Sequence, residues 1–257
     1  MSKKSVAIVT GASSGIGRAT ALRLARDFGA VVLVAKGAHD LEGAAAEVRK
    51  AGAEAIALEQ DLSLPSSADA VVNATLEHFG RIDALVNVAG AVPGLDVFEM
   101  SDEQWDAGMA LKFHGARRLT LRAWDALKTS GGSVIFVSGN AADNPKAAQA
   151  AVAAINAAIE ALAKAFSERG IADGVQVNSV SPGAIMTERR LGMLEKAARA
   201  RGITPDEMKA AFLKAAGIAR FGEASEIAEL MAFAVSPAAR WMTGTVLRMD
   251  GGEVKSV

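Results

Sequence analysis

The stretch Val6-Ala7-Ile8-Val9-Thr10-Gly11-Ala12-Ser13-Ser14-Gly15-Ile16-Gly17 decides the fold. Its first five residues are mostly β-branched and lack polar alternation, which predicts a strand covered on both faces. The glycines at 11, 15 and 17 then permit a tight turn into a helix predicted from about Gly15 to Phe28. A helix N-terminus behind such a turn offers backbone donors and a favourable field to a pyrophosphate. Ser13 and Ser14 add hydroxyls, and Ile16 lies in the same turn. A glycine triplet placed between strand and helix points to dinucleotide binding far more strongly than the triplet alone.

Working outward, short apolar runs alternate with helical patterns to the end of the 257-residue chain. Ala30–Ala35, Ala55–Glu59, Ala84–Val88, Val134–Ser138, Val175–Val180 and Thr245–Met249 read as further strands. With right-handed crossovers these seven strands predict one α/β domain, a doubly wound parallel sheet of the Rossmann type. Ser101 and Gln104 form a capping box before a helix over Trp105–Thr120, and Thr204 with Pro205 and Glu207 starts another. The mostly polar segment at about 188–217 is an expected helical lid over the ligand crevice. In the alanine-rich helix over Ala147–Phe166, Ile155, Ile159 and Leu162 recur on one face, suited to the domain's own sheet or to a second subunit.

Composition narrows the chemistry. With 28 basic and 29 acidic side chains, no nucleic-acid footprint is expected. Cysteine and tyrosine are both absent, so disulfide and thiol chemistry are excluded, and so is a phenolic acid. His39, His78 and His114 lack ligand spacing, and no metal site is expected. No signal-like N-terminus and no run of roughly 18 apolar residues is apparent, so the expectation is a cytoplasmic protein without membrane association.

Four loops at predicted strand ends extend the nucleotide site. Ala35 stands where a ribose-binding acid often closes the second strand, and Lys36 follows it. Without the acid a 2′-phosphate is not repelled, and the lysine can neutralise it. NADP(H) is therefore the expected preference, with NAD(H) possible. Asp61, beside Leu62, can accept from an adenine amino group. Ala89 and Gly90 can pass beneath the adenine ribose, while Asn87 can join them or tie strands together. Pro182, Gly183, Ile185 and Thr187 can hold a carboxamide.

Together Thr10–Gly17, Asn87-Val88-Ala89-Gly90, Ser181-Pro182-Gly183, Arg220-Phe221-Gly222 and Asp250-Gly251-Gly252 resemble the short-chain dehydrogenase/reductase family, over essentially the whole chain. The resemblance implies NAD(P)(H)-linked interconversion of alcohols and carbonyls. It also implies a homotetramer or homodimer with helices near 101–120 and 147–166 at an interface. The family's usual tyrosine, lysine, serine and asparagine are another matter. Aligning the alanine-rich helix puts Ala148 at the tyrosine and Val152 at the lysine, and Lys112 falls at the asparagine. Gly139 falls at the serine, with Ser138 just before it.

Lys112 is a candidate acid or electrostatic anchor if desolvation draws its pKa toward neutrality. Ser138 is a candidate for orienting a substrate carbonyl. Asp143 and His114 are weaker candidates, and Met186, Met193 and Met208 suit an apolar wall or lid packing. Two classes of function follow: an atypical carbonyl reductase or alcohol dehydrogenase, or a catalytically silent cofactor-binding scaffold or partner subunit. Non-redox chemistry in the same pocket is a third possibility.

Overall fold

A computed structural model of the chain describes residues 5–37 and 40–256, so His39 lies outside the described residues. The main strands are β1 (Val6–Thr10), β2 (Ala30–Ala35), β3 (Glu54–Glu59), β4 (Ala84–Asn87), β5 (Ser133–Val137), β6 (Gln176–Pro182) and β9 (Val246–Met249). They form one parallel seven-stranded sheet in the order β3-β2-β1-β4-β5-β6-β9. Two short strands, β7 (Ile185–Met186) and β8 (Gly222–Glu223), pair separately. The order reverses between β1 and β4, and a ligand crevice is expected at the carboxyl ends of those two strands.

Side chains alternate across each strand, so both sheet faces become core. Ala7, Val9, Val31 and Leu33 pack beneath α1 (Gly15–Leu24), α2 (Leu41–Lys50) and α9 (Ala224–Ala234). Ile8, Val32, Leu85 and Phe136 pack beneath α3 (Ser67–Phe79), α5 (Ala116–Ser130) and α6 (Ala150–Asp173). Each fully buried aliphatic side chain contributes about 1.5–3 kcal/mol against exposure.

Two expectations need correction. The helix predicted over Trp105–Thr120 is instead α4 (Asp102–Gly108), a π-helical segment (Met109–Gly115) and then α5. Glycines end both of the first two pieces at close contacts. A Cβ at Gly108 would lie 3.1 Å from Ile155 Cδ1, and one at Gly115 would lie 2.7 Å from Leu62 O. The segment expected to form a lid folds as α7 (Glu188–Arg201) and α8 (Pro205–Ala216), the second starting at the Thr204 cap as read, and Gly202 ends the first in the left-handed region at φ +65°. Finally, one helix does reach spanning length: Ala147–Asp173 is by length and composition apolar enough to cross a membrane. Here Ile155, Ile159 and Ala163 of that helix are buried within the domain. Both expected capping boxes are present.

Candidate active site

A groove of about 410 Å³ opens at the switch point, lined by Gly11, Ser13, Ser14, Gly15, Ile16, Gly17, Lys36, Leu62, Ala89, Gly90 and Thr187. Its floor depends on glycine. Gly11 and Gly15 sit at φ +63° and +52°, and a Cβ at Gly17 would fall 2.1 Å from Gly11 O. Ser14 is the N-cap of α1, yet its side chain makes no capping bond, so the helix's first N–H groups stay open to a ligand. Thr10 Oγ1 accepts from the backbone N–H groups of Val88 and Ala89 and ties β1 to the loop after β4.

Two expected cofactor contacts lie differently. Asn87 is buried and donates to Thr120 Oγ1 of α5 at 3.3 Å, a side-chain bond from strand to helix and not between strands. Its Oδ1 is buried without a partner among the described residues. Asp61 forms an ion pair with Lys36 at 2.7 Å and also accepts from the Ser63 backbone and hydroxyl. Lys36 first, then Ser63, holds the Asp61 carboxyl below its ordinary pKa.

A second cavity of about 270 Å³ adjoins the groove; Ile16, Gly90, Thr187 and Arg189 border both. Pro182, Gly183 and Ile185 lie in this second cavity. Here the π-helical register matters, since such turns recur at functional sites. It sends Lys112 past Gly90, where a Cβ would stand 3.0 Å from Lys112 Cδ. The ammonium donates to Ser138 O at 2.9 Å and to Asn156 Oδ1. An ammonium has three N–H groups, so one remains for the cavity that Lys112 lines. Burial, then the Arg189 charge, draws the Lys112 pKa from 10.5 down to about 8, against the opposing pull of Glu160.

Ser138, expected to orient a substrate carbonyl, lines this cavity, and its hydroxyl is already engaged. It donates to Glu160 Oε1 at 2.6 Å, with Val180 O at 3.3 Å. Burial raises the pKa of that Glu160 carboxyl, with Asp143 adding to the effect. Gly139, at the family's serine position, has φ +153°, and a Cβ there would meet Asn156 Nδ2 at 2.8 Å. Serine and Asn156 therefore cannot both occupy this spot without movement. Ala148 is exposed, and its neighbour Gln149 lines the cavity with Val152 and Asn156. Met193 forms part of the wall, whereas Met186 and Met208 pack in the lid with Leu194 and Ala198. Asp143 meets Arg248 at 3.5 Å. His114 does not border the cavity.

Asn156, Glu160 and Arg190 did not emerge from the sequence as site residues. One signal was available: positions 148, 152, 156 and 160 fall four apart, on one helical face.

The fold and groove define a dinucleotide-binding α/β protein of the doubly wound class. The family profile described as Enoyl-(Acyl carrier protein) reductase matches residues 11–253. The chain is 31% identical to the short-chain reductase protein NovJ of Streptomyces niveus, over 98% of this chain and 95% of that one. It is 32% identical to a 3-oxoacyl-[acyl-carrier-protein] reductase of Synechocystis, over 97% and 96%. L-sorbose reductase from Gluconobacter frateurii, complexed with NADPH and L-sorbose, superposes with TM-score 0.92 at 29% identity, covering 98% of this chain and 97% of that one. The chain belongs to the short-chain dehydrogenase/reductase family, as its motifs imply, and this supports an oxidoreductase function.

Proposed function

We propose that this chain is an NADP(H)-dependent carbonyl reductase in which the Lys112 ammonium supplies the proton that a tyrosine supplies elsewhere in the family. One observation carries the reading: Lys112 stands in the substrate cavity with two donors anchored, a third free and a pKa near 8. The nucleotide fits the groove on the chain's own geometry, since Gly11 and Gly17, each pressed against backbone, permit the tight turn that lines it beside Ser13, Ser14 and Lys36. Gly11, Ser13, Ser14, Gly15, Ile16 and Gly17 would hold the pyrophosphate side, Lys36 the 2′-phosphate, and Ile185 and Thr187 the nicotinamide side. The L-sorbose reductase and a polyketide ketoreductase of the same fold were solved with NADPH, which supports this coenzyme.

When bound, NADPH supplies a hydride to the carbonyl carbon. The free N–H of Lys112 points its charge at the carbonyl oxygen and stabilises the negative charge that develops there. Lys112 then transfers its proton to that oxygen, leaving alcohol and a neutral amine. A pKa near 8 suits the task, because the group is mostly protonated at pH 7 yet gives up its proton readily. Asn156 and the Ser138 carbonyl hold the ammonium in place, and Val137, Val152 and Ile185 keep the surroundings apolar.

The test is a fluorescence titration with NADPH and NADH, followed by NADPH oxidation with a panel of ketones. Saturable NADPH binding with turnover that Lys112→Met lowers by about 10²- to 10⁴-fold is the expected result. Saturable binding without turnover of any carbonyl would instead support the cofactor-binding scaffold, a reading favoured by the missing tyrosine. Failure to bind either nucleotide would overturn both.

A further inference from the structure

The cavity beside the nucleotide groove has an unusual charge. Three cationic side chains, Lys112, Arg189 and Arg190, border it, and among the described residues no carboxylate does. Two of the three are already occupied. Lys112 is anchored as described, and Arg189 donates to Gly90 O and Val92 O at 3.1 Å each, bridging α7 to the loop after β4. Arg190 is different. Its guanidinium stands 5.3 Å from the centre of the Phe212 ring and makes no hydrogen bond or ion pair among the described residues.

A half-buried guanidinium without a hydrogen-bond acceptor is costly, because its five donors have lost water and gained only a ring face. Burial accordingly lowers its affinity for its proton. Glu253 acts on it through space but forms no ion pair with it among the described residues. The other acid near the cavity, Glu160, is bound to Ser138, and Asp143 meets Arg248. Arg190 borders the substrate cavity and not the nucleotide groove, so the coenzyme's phosphates do not account for it.

We propose that the substrate is an oxo acid, whose carboxylate the Arg190 guanidinium binds while its ketone faces Lys112. This deepens the reductase reading and rests on it for the identity of the reacting group. A planar fork matches a carboxylate with two parallel hydrogen bonds, and the Phe212 ring lies against the guanidinium without using any of its donors to an oxygen. Lys112 approaches from the π segment and Arg190 from α7, so the two cations grip different parts of one molecule. Val137, Val152, Ile185 and Met193 line the same cavity and offer apolar surface to a short carbon skeleton.

The test compares 2-oxo and 3-oxo acids of short to medium chain length with their methyl esters. Binding is measured by calorimetry with NADP⁺ present, and NADPH oxidation is followed in parallel. At least one acid should bind the wild type about 10- to 100-fold more tightly than its ester, as expected for a charged hydrogen bond. Arg190→Met should abolish that preference with little effect on the ester, and Arg190→Lys should restore part of it. No acid preference in any pair would overturn the inference, as would a preference that survives Arg190→Met. Turnover of esters as efficient as that of acids would refute the oxo acid but leave the reductase standing. Tight acid binding without oxidation of NADPH would refute the reductase while keeping the anion site.

Discussion

Lys112 gives a stability measurement that needs no substrate. In the unfolded chain its amine titrates near 10.5, and in the fold near 8, because burial and Arg189 disfavour the charge. Below pH 8 both states carry the proton, and the fold bears the full cost of enclosing it. Between the two values the unfolded chain holds a proton that the fold has released, so stability rises with pH. Above about 10.5 neither state is charged, and the gain is complete. At 1.36 kcal/mol per pH unit the window is worth roughly 3 kcal/mol.

This window is unusually clean. The chain has no tyrosine and no cysteine, so of the side chains that ordinarily titrate between pH 8 and 10.5 only lysines are present. Urea denaturation of the wild type at pH 7.5, 8.5 and 9.5 should show stability climbing by about 1 kcal/mol per unit relative to Lys112→Met. The variant removes the titration while leaving Asn156 Oδ1 short of a donor, so the diagnostic is the difference in slope and not the absolute stability. The same ionisation should govern turnover. Reduction should fall about tenfold per pH unit above pH 8 as the ammonium is lost, and Lys112→Met should cost about 10²- to 10⁴-fold. Identical pH slopes for the two proteins would refute the assignment of a lowered pKa to Lys112, and a reduction rate flat to pH 9.5 would refute Lys112 as the proton donor.

Other positions give sharp outcomes. Gly17→Ala puts a methyl within 2.1 Å of Gly11 O, so the turn must open. NADPH fluorescence enhancement should disappear and thermal stability should fall by about 1–3 kcal/mol. Asp61→Asn releases the largely exposed Lys36 from its ion pair, and NADPH affinity should rise about two- to fivefold in a titration, with NADH nearly unaffected. Asp173 accepts from Trp124 Nε1, Lys128 and Arg169, and these partners hold its carboxyl well below the ordinary range. Its contribution is present at neutral pH and lost only as pH falls through that depressed value. Thermal melts should therefore show Asp173→Asn clearly less stable than wild type at pH 7, with the gap narrowing only in strong acid.

The parts of this molecule legible in sequence are those set by local rules. β1 and its glycine turn could be read because a doubly covered strand is continuously apolar and only glycine suits the φ values at 11 and 15. The caps at Ser101 and Thr204 are likewise encoded within four residues. The π segment was hidden because an apolar helical pattern runs through it, and the register is set by α6 and Leu62 pressing on Gly108 and Gly115. The candidate site failed to read for a related reason. Taken singly, Gly139, Lys112 and Val152 read only as departures from the residues the family resemblance implies. Taken together, Asn156 fills the space a serine side chain would need, anchors Lys112 and donates to Gly139 O, while Gly90 leaves room for the lysine stem. Glu160, one turn further along the same face, secures Ser138, whose carbonyl is the other anchor. Each substitution makes sense only with its partners in place. Restoring any one family residue alone should therefore disrupt the arrangement rather than recover the usual chemistry.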